Sequence, residues 1–165
     1  MELKVNDKFS SLKDLESAIS SYSKTNYVDL HKRDARTINQ AIKEKKISQD
    51  RVKNKDLKYY QVKYNCIYGG RKNFKGRGKG ARKTKTFQRG CDFFIQVRLA
   101  DSGDHLVVTN MHGQHANHDV DIKDYSFLPK VRKLTNEDLE HASDLIAVGA
   151  NKKIVQQQIS NIIGK

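Results

Sequence analysis

Two cysteines and a group of histidines are the residues of this sequence whose types suit metal chemistry. Cys66 and Cys91 are its only cysteines, and four of its six histidines fall within residues 105–118. Zn²⁺ takes four soft or borderline donors in a tetrahedron, and two thiolates with two imidazoles form a common closed structural set. The sequence therefore predicts a zinc site with Cys66, Cys91, His115 and His118 as its ligands.

The choice among the histidines has alternatives. His112 lies three residues before His115, so a pair of these two has the same spacing as His115 with His118. His105 opens its predicted strand and would lie at the wrong end to meet the others. A competing interpretation makes the cysteines small core residues and the histidines surface groups in a turn. Only 36% of the residues are hydrophobic, and this shortage of core material favours a structural metal.

Positive charge is concentrated between the two cysteines. The formal net charge of the chain is +13. Such an excess points to polyanionic partners, chiefly nucleic acid, with an anionic membrane as the rival. A solvated loop without a partner, or a nuclear localisation signal, would also explain it. Nine basic residues and no acidic residue lie between the cysteines: Arg71, Lys72, Lys75, Arg77, Lys79, Arg82, Lys83, Lys85 and Arg89.

Hydrophobic periodicity predicts one helix followed by three or four strands. Leu12, Leu15, Ile19 and Tyr22 share one face of the predicted helix. The polar stretch 42–56 is expected as a surface loop. The Gly- and Lys-rich stretch 69–90 is expected as a long mobile loop. The helix is predicted over 9–24, and the strands over 27–33, 57–69, 91–100 and 105–111.

A helical pair is predicted after Pro129. Thr135 caps the first helix, Gly149 ends it and Asn151 caps the second. Packing or self-association is a better expectation for this pair than a DNA-reading helix-turn-helix, because the second helix carries few charges. The predicted organisation is a zinc-binding nucleic-acid-binding domain over 1–122, a linker over 123–133 and the helical pair over 134–165.

The sequence contains no pattern typical of export or of an enzyme. Neither a signal peptide nor an apolar run of membrane-spanning length is visible. The thiols are therefore expected to be reduced and the protein intracellular. Asp92 is the one carboxylate close to a cysteine, and no HExxH motif or nucleophile elbow occurs. Enzymatic activity is not expected.

The arrangement of the motifs is similar to a known zinc domain. An aromatic strand ending in Cys66 (YYQVKYNC), a long loop, Cys91 before a hairpin and a final QHANH resemble the domain of WRKY factors and FLYWCH fingers. The far-red-impaired-response DNA-binding domains of Mutator-like transposases share it. Residues 1–120 look most like the amino-terminal domain of animal zinc-finger SWIM-domain proteins. The later stretch LPKVRKLTNEDLEHASDLIAVGANKKIVQQQI resembles the segment that joins this domain to a transposase-derived core.

The resemblance implies an α+β fold. The part that the resemblance gives is a small antiparallel four- or five-stranded sheet with zinc at one end, and the N-terminal helix and the C-terminal helical pair predicted from periodicity complete the fold. It also implies DNA binding through the leading strand, which places Lys32, Arg33 and Arg36 on the nucleic acid. The family usually ends in His-x-His, whereas this chain has His115-x-x-His118. The WRKYGQK heptad is absent, so no sequence specificity is transferred, and a SWIM motif and transposase core are also absent.

The expected function is that of a zinc-dependent module that binds double-stranded DNA. The resemblance places it in the nucleus, in transcription regulation or as a transposase-derived protein, either as a fragment or as a stand-alone remnant. An RNA-binding or protein-interaction zinc module without sequence-specific DNA reading is the alternative. Self-association through the C-terminal helices is a further expectation.

Overall fold

The structure is a computed structural model that describes residues 2–70 and 87–163. The chain divides into two compact units, residues 1–122 and residues 123–165. The first unit holds the sheet, and each unit is described separately below.

Five antiparallel strands form one sheet in the first unit. Their order across the sheet is β1-β5-β4-β3-β2, so that the short first strand pairs with the last. The predicted α+β fold with a small antiparallel sheet is confirmed. The strands are β1 (Lys8–Phe9), β2 (Leu30–Thr37), β3 (Tyr59–Cys66), β4 (Phe94–Leu99) and β5 (Leu106–His112).

The N-terminal helix α1 (Leu12–Thr25) is amphipathic. The Ser11 hydroxyl caps it by accepting a hydrogen bond of 3.1 Å from the Asp14 amide, which satisfies one of the free N–H groups of the first turn. Leu15, Ile19 and Tyr22 recur at helical spacing and are buried. Burial of this stripe places α1 over one face of the sheet.

The two faces of the sheet differ in character. The alternating residues Val62, Ile95, Val97, Leu106 and Val108 have no exposed surface, and they form the core beneath α1. We call this the inner face. Residues of the opposite register, including Lys63, Phe94, Gln96 and Arg98, form what we call the open face.

The polar stretch 42–56 is more structured than expected. Helix α2 (Ile38–Lys43) begins at a capping box in which Thr37 and Gln40 bond to each other's backbone amides. A 3₁₀ turn follows at Gln49–Arg51, and Ile47 between them is buried. The Thr-x-x-Gln spacing was the local signal for this helix, and the lysines around it concealed the short apolar anchors.

The second unit is helical. It contains most of α3 (Ile122–Ser126), together with α4 (Asn136–Ala147) and α5 (Lys152–Ile163). Thr135 and Asp138 form a capping box at the start of α4. The predicted linker 123–133 includes most of α3. Among the described residues, no helix is both long enough and apolar enough to cross a membrane.

Candidate metal centre

The antiparallel topology brings four predicted ligands to one end of the sheet. Strand β3 ends at Cys66, Cys91 lies just before β4, and His115 and His118 follow the end of β5. In an antiparallel sheet the end of one strand lies beside the start of its neighbour. One donor atom from each residue lies within 4.8 Å of the other three. We call these four residues the Cys2His2 cluster.

The separations of the donor atoms match the edges of a zinc-sized tetrahedron. Zn–N bonds of about 2.0 Å and Zn–S bonds of about 2.3 Å require N···N edges of about 3.3 Å and N···S edges of about 3.5 Å. His115 Nδ1 lies 3.3 Å from His118 Nε2. Cys66 Sγ lies 3.4 Å from His118 Nε2, and Cys91 Sγ lies 3.6 Å from His115 Nδ1. The cluster can therefore hold one metal ion.

Burial disfavours the charged forms of Cys66 and His115 when the cluster carries no metal. Both cysteines are free thiols, with 0% and 2% of their surface exposed. Desolvation raises the pKa of the Cys66 thiol to about 12. Burial, assisted by the nearby His118, lowers the pKa of His115 to about 4. At neutral pH His115 thus offers a lone pair without first losing a proton, whereas Cys66 must lose one to bind a metal.

The backbone selects the tautomer of His118. Its Nδ1 lies 2.9 Å from the carbonyl oxygen of Asp119, which can only accept a hydrogen bond. Nδ1 must therefore carry the proton, so Nε2 presents its lone pair to Cys66. This outer hydrogen bond is the kind that orients metal-bound histidines. The second ring nitrogen of His115, Nε2, is buried without a hydrogen-bond partner among the described residues.

Each histidine of the cluster stacks on an aromatic ring two residues after a cysteine. Tyr68 follows Cys66 and stacks on His118, with ring centroids 4.3 Å apart. Phe93 follows Cys91 and stacks on His115 at 4.0 Å. Neither of these two stacking contacts is predicted from the sequence. Their signal is the repeated Cys-x-aromatic spacing, which appears as ordinary strand alternation unless the two cysteines are compared.

Phe93 also joins the site to the core. Its ring stacks on that of Tyr22 from α1, with centroids 6.0 Å apart. Its carbonyl oxygen accepts a hydrogen bond of 3.2 Å from the Cys66 amide. The residue has only 2% of its surface exposed. The position of His115 is therefore set by the same packing that holds the helix on the sheet.

A compact backbone frame fixes the two cysteine segments to each other. The carbonyl oxygen of Tyr68 accepts hydrogen bonds from the amides of Arg89, Gly90 and Cys91, at 2.8–3.2 Å. Gly69 forms a parallel bridge with Cys91. A Cβ atom at Gly69 would lie 2.8 Å from the Cys66 carbonyl oxygen and 3.2 Å from that of Cys91. Only glycine fits this position without a backbone shift.

The turn that carries the two histidines is tied to the same frame. Asn117 adopts a left-handed φ of 64°, which asparagine tolerates better than most residues. Its side-chain amide donates a hydrogen bond of 3.1 Å to the Gly90 carbonyl oxygen. Gly90 has a φ of 83° and lies directly before Cys91. The left-handed residue within the His-x-x-His spacing thus connects this turn to the Cys91 segment.

The other two histidines considered from the sequence lie outside the cluster. His112 lies at the end of β5 on the open face, where its ring stacks parallel to Phe94 with centroids 5.4 Å apart. Its Nδ1 lies 3.3 Å from the Asp92 carbonyl oxygen. His105 lies at the other end of β5 and contacts the carboxylate of Asp104 at 2.5 Å. The geometry brings His118, and not His112, to the cysteines.

The predicted nucleic-acid-binding residues fall into two groups. Those from Arg71 to Lys85 lie outside the described residues. Arg89 places its guanidinium 4.8 Å from the centroid of the Tyr68 ring. On β2, Lys32 forms an ion pair with Glu16, and Arg36 lies 3.3 Å from Glu44.

Arg33 differs from its neighbours on β2. It lies at a register shift between β2 and β3, where the ladder passes from Lys32 to Asp34, and it is exposed. A bulge of this kind re-aims a side chain. Arg33 lines a groove on the open face, whereas the charges of Lys32 and Arg36 face acidic groups.

Comparison with known proteins identifies the family. The family model described as the N-terminal domain of zinc finger SWIM domain-containing protein 3 matches residues 3–117. No curated protein matches the chain, and no solved structure does. The matched region comprises 115 of the 165 residues and contains both cysteines and His115. This chain therefore belongs to the family of the N-terminal domain of zinc finger SWIM domain-containing protein 3.

Proposed function

We propose that this protein is a zinc-dependent nucleic-acid-binding module, with double-stranded DNA as the favoured partner and zinc bound by the Cys2His2 cluster. The observation that carries the proposal is the backbone frame at the cluster. Its residues Gly69 and Arg89 lie at the two ends of the basic segment, which we define as residues 71–89. A metal in the cluster would fix the base of a strongly cationic stretch.

The role of zinc in this proposal is structural. Two thiolates and two imidazoles fill a tetrahedron, whereas a catalytic zinc site keeps a position for water. Structural zinc is worth on the order of 10–16 kcal/mol in small domains, and here it would add to the folding free energy. The donor separations and the burial of both cysteines support this role. We therefore propose that the protein is not an enzyme.

The basic segment supports a polyanionic partner. It carries nine of the 32 lysines and arginines of the chain and no acidic residue. Such a segment neutralises phosphates and releases counterions, which gives affinity and salt dependence but little reading of sequence. Specific recognition would have to come from residues outside the basic segment, and Arg33 is the best placed of the three on β2. An arginine can pair with guanine in the major groove.

The metal half of the proposal is tested by metal analysis and chelation. We expect one zinc ion per chain in the purified protein by mass spectrometry. Removing it with a strong chelator should unfold the first unit, and the loss of β-sheet signal in circular dichroism should reverse when zinc is restored. A metal-free protein with an unchanged spectrum and melting temperature would overturn the structural role of zinc.

The partner is tested by comparing nucleic acids with the zinc-loaded protein. Duplex DNA, duplex RNA and single strands of matched sequence are titrated at low and moderate salt, with fluorescence anisotropy as the readout. We expect duplex DNA to bind and to retain some affinity at moderate salt. Preference for RNA would support the alternative of an RNA-binding module. Absence of binding to all of them would leave a protein-interaction module.

Three further proposals depend on this proposed function. A nuclear location is tested by imaging the tagged chain with its basic segment intact and with that segment neutralised. A transposase-derived origin, with a role in transcription regulation, predicts a transposase-like core coded in frame beside this domain.

Self-association through α4 and α5 is supported by exposed apolar residues such as Ile146 and Val148. It predicts a concentration-dependent mass in sedimentation.

A further inference from the structure

A groove on the open face of the sheet borders the Cys2His2 cluster, and Cys91 is the cluster residue that lines it. Its volume is about 870 Å³, which is within the range that accommodates a small-molecule-sized group. Gly70 and Gln88, which lie on either side of the undescribed part of the basic segment, both line it. The groove is therefore lined by the described residues that flank residues 71–86 in the sequence.

The charge of the groove favours an anion. Arg33 and Lys63 line it from β2 and β3, and His112 lines it from β5. Asp92 is the one acidic residue in the lining. Arg33 makes no ion pair among the described residues, in contrast to Lys32 and Arg36 on the same strand. Two fixed cations on a concave surface suit a phosphate group.

Two stacked rings in the groove favour a planar group. Phe94 and His112 lie opposite each other on β4 and β5, with an interplanar angle of 5°. Lys63 Nζ lies 3.7 Å from the centroid of the Phe94 ring. Since His112 is the exposed member of the pair, another flat ring can continue the stack on it. Bases stack on such aromatic platforms when they are unpaired.

A buried amide in the groove lacks a partner. Asn65 has only 9% of its surface exposed, and its Oδ1 makes no hydrogen bond among the described residues. A buried acceptor left unpaired costs about 1–3 kcal/mol, so the amide regains that stability if it turns toward the groove, where a ligand supplies a donor. The amino and imino groups of a base edge are donors of this kind.

We propose that this groove binds an unpaired nucleotide of a nucleic-acid strand. Arg33 and Lys63 bind its phosphate, its base stacks on the outer face of His112, and the Asn65 amide turns toward the groove so that its Oδ1 accepts a hydrogen bond from the base. The inference rests on the proposed function and goes beyond it, because it assigns a second surface, the open face, and a form of nucleic acid. A base stacked between its neighbours in a duplex has no free face to place on His112, so the stack on His112 contributes nothing to binding along a duplex.

The test compares a blunt DNA duplex with the same duplex extended by a short single-stranded overhang, using the full zinc-loaded chain and fluorescence anisotropy. The overhang should bind about tenfold tighter, as one base stacked on an aromatic ring predicts. His112→Ala and Lys63→Gln should each remove most of this gain and leave blunt-duplex affinity unchanged. His112→Phe, which keeps a stacking ring, should retain the gain.

Matched controls separate the possible failures. His141→Ala on α4 and Lys13→Gln on α1 remove the same side-chain types from exposed positions and should change nothing. Zinc content and melting temperature report whether each variant folds. Equal binding of blunt and extended duplex by the unchanged protein would overturn the inference and leave the proposed function standing. A gain that survives both groove substitutions would also overturn it. Absence of any nucleic-acid binding would overturn the proposed function itself.

Discussion

Single residues decide which histidines face the metal site. His112 and His118 are both near the surface, and both have one ring nitrogen close to a backbone carbonyl oxygen. Their difference lies in the ring against which each stacks, Phe94 on the open face or Tyr68 beside Cys66. Only Tyr68 lies beside a cysteine, so only His118 is placed to bind the metal.

Removal of a ligand should separate these two histidines. We expect Cys66→Ser and His118→Ala to lower the bound zinc from one per chain to well below one, because three donors cannot close the tetrahedron. His112→Ala should retain one zinc with unchanged melting temperature. Metal content and calorimetry of the purified variants measure this. Zinc loss in His112→Ala with retention in His118→Ala would show that the ligand assignment is wrong.

Proton competition should give zinc binding a defined pH dependence. Cys66 is protonated throughout the neutral range because burial raises its pKa to about 12, so zinc must displace at least this proton. His115, with a pKa of about 4, carries no proton for zinc to displace above mildly acidic pH. The apparent zinc affinity should therefore fall at least tenfold for each unit that the pH is lowered from about 8 to about 6.

Competition with a chromophoric chelator at several pH values measures this slope. The chelator's own proton competition is subtracted using a zinc solution without protein. An affinity that stays constant over this range would mean that the Cys66 thiol is already ionised, which would contradict the burial argument.

At the scale of elements, the ends of three strands and one turn build the site. The frame around Tyr68 holds the end of β3 against the segment before β4, and Asn117 joins the histidine turn to it. This frame is made of backbone groups. It therefore requires that the two backbone segments approach each other closely, and it depends less on particular side chains. Gly69 is the residue at which that requirement is most severe.

Substitution of Gly69 should loosen the frame. Gly69→Ala forces a Cβ against two backbone oxygens and should lower the free energy of unfolding by about 2 kcal/mol, as overpacking does. Gly113→Ala is the matched control, because Gly113 has a φ of 70° but open space around it. Its cost of about 1 kcal/mol should come from backbone strain alone. Urea denaturation and zinc affinity measure both, and unchanged zinc affinity in Gly69→Ala would contradict the role of the frame.

The sequence predicts the regular elements better than the frame that joins them. Helix α1 and strands β2–β5 carry their periodicity over six or more residues, and the structure has them near the expected positions. Strand β1 has two residues, too few to show a period. Helix α2 was missed because the charge of its surroundings outweighed one capping box. The stacking of Tyr68 and Phe93 depends on contacts across the sheet, which local patterns do not encode.

At the scale of the whole molecule, charge is distributed unevenly. The net charge is +13, and the inner face and α1 contribute little to it. Two of the three cations predicted on β2 are offset by Glu16 and Glu44. The uncompensated charge is therefore concentrated in the basic segment and beside the groove, where the predicted partner would bind.

Salt dependence should identify the cations that meet phosphate. When the logarithm of affinity is plotted against the logarithm of salt concentration, each phosphate contact contributes about 0.9 to the steepness of the slope for duplex DNA. Loss of one contact therefore flattens the slope by about 0.9. Replacing Lys79, Arg82, Lys83 and Lys85 by glutamine should therefore flatten the slope by up to about four such steps. Replacing the exposed Arg132, Lys133, Lys152 and Lys153 by glutamine removes the same number of charges elsewhere in the chain and should change the slope little. Equal slopes in the two variants would mean that general charge, and not the segment, drives binding.

The Tyr68 carbonyl oxygen holds the amides of Arg89, Gly90 and Cys91, and this has a consequence for protein engineering and for sequence divergence. When the two ends of a loop are held together by the fold, doubling the length of the loop costs only about 0.6 kcal/mol in loop-closure entropy. Insertions between Gly70 and Phe87 should therefore change the free energy of unfolding very little. The fold can serve as a display scaffold, in which a peptide of chosen length and charge is exchanged at this position while the domain beneath it is left intact.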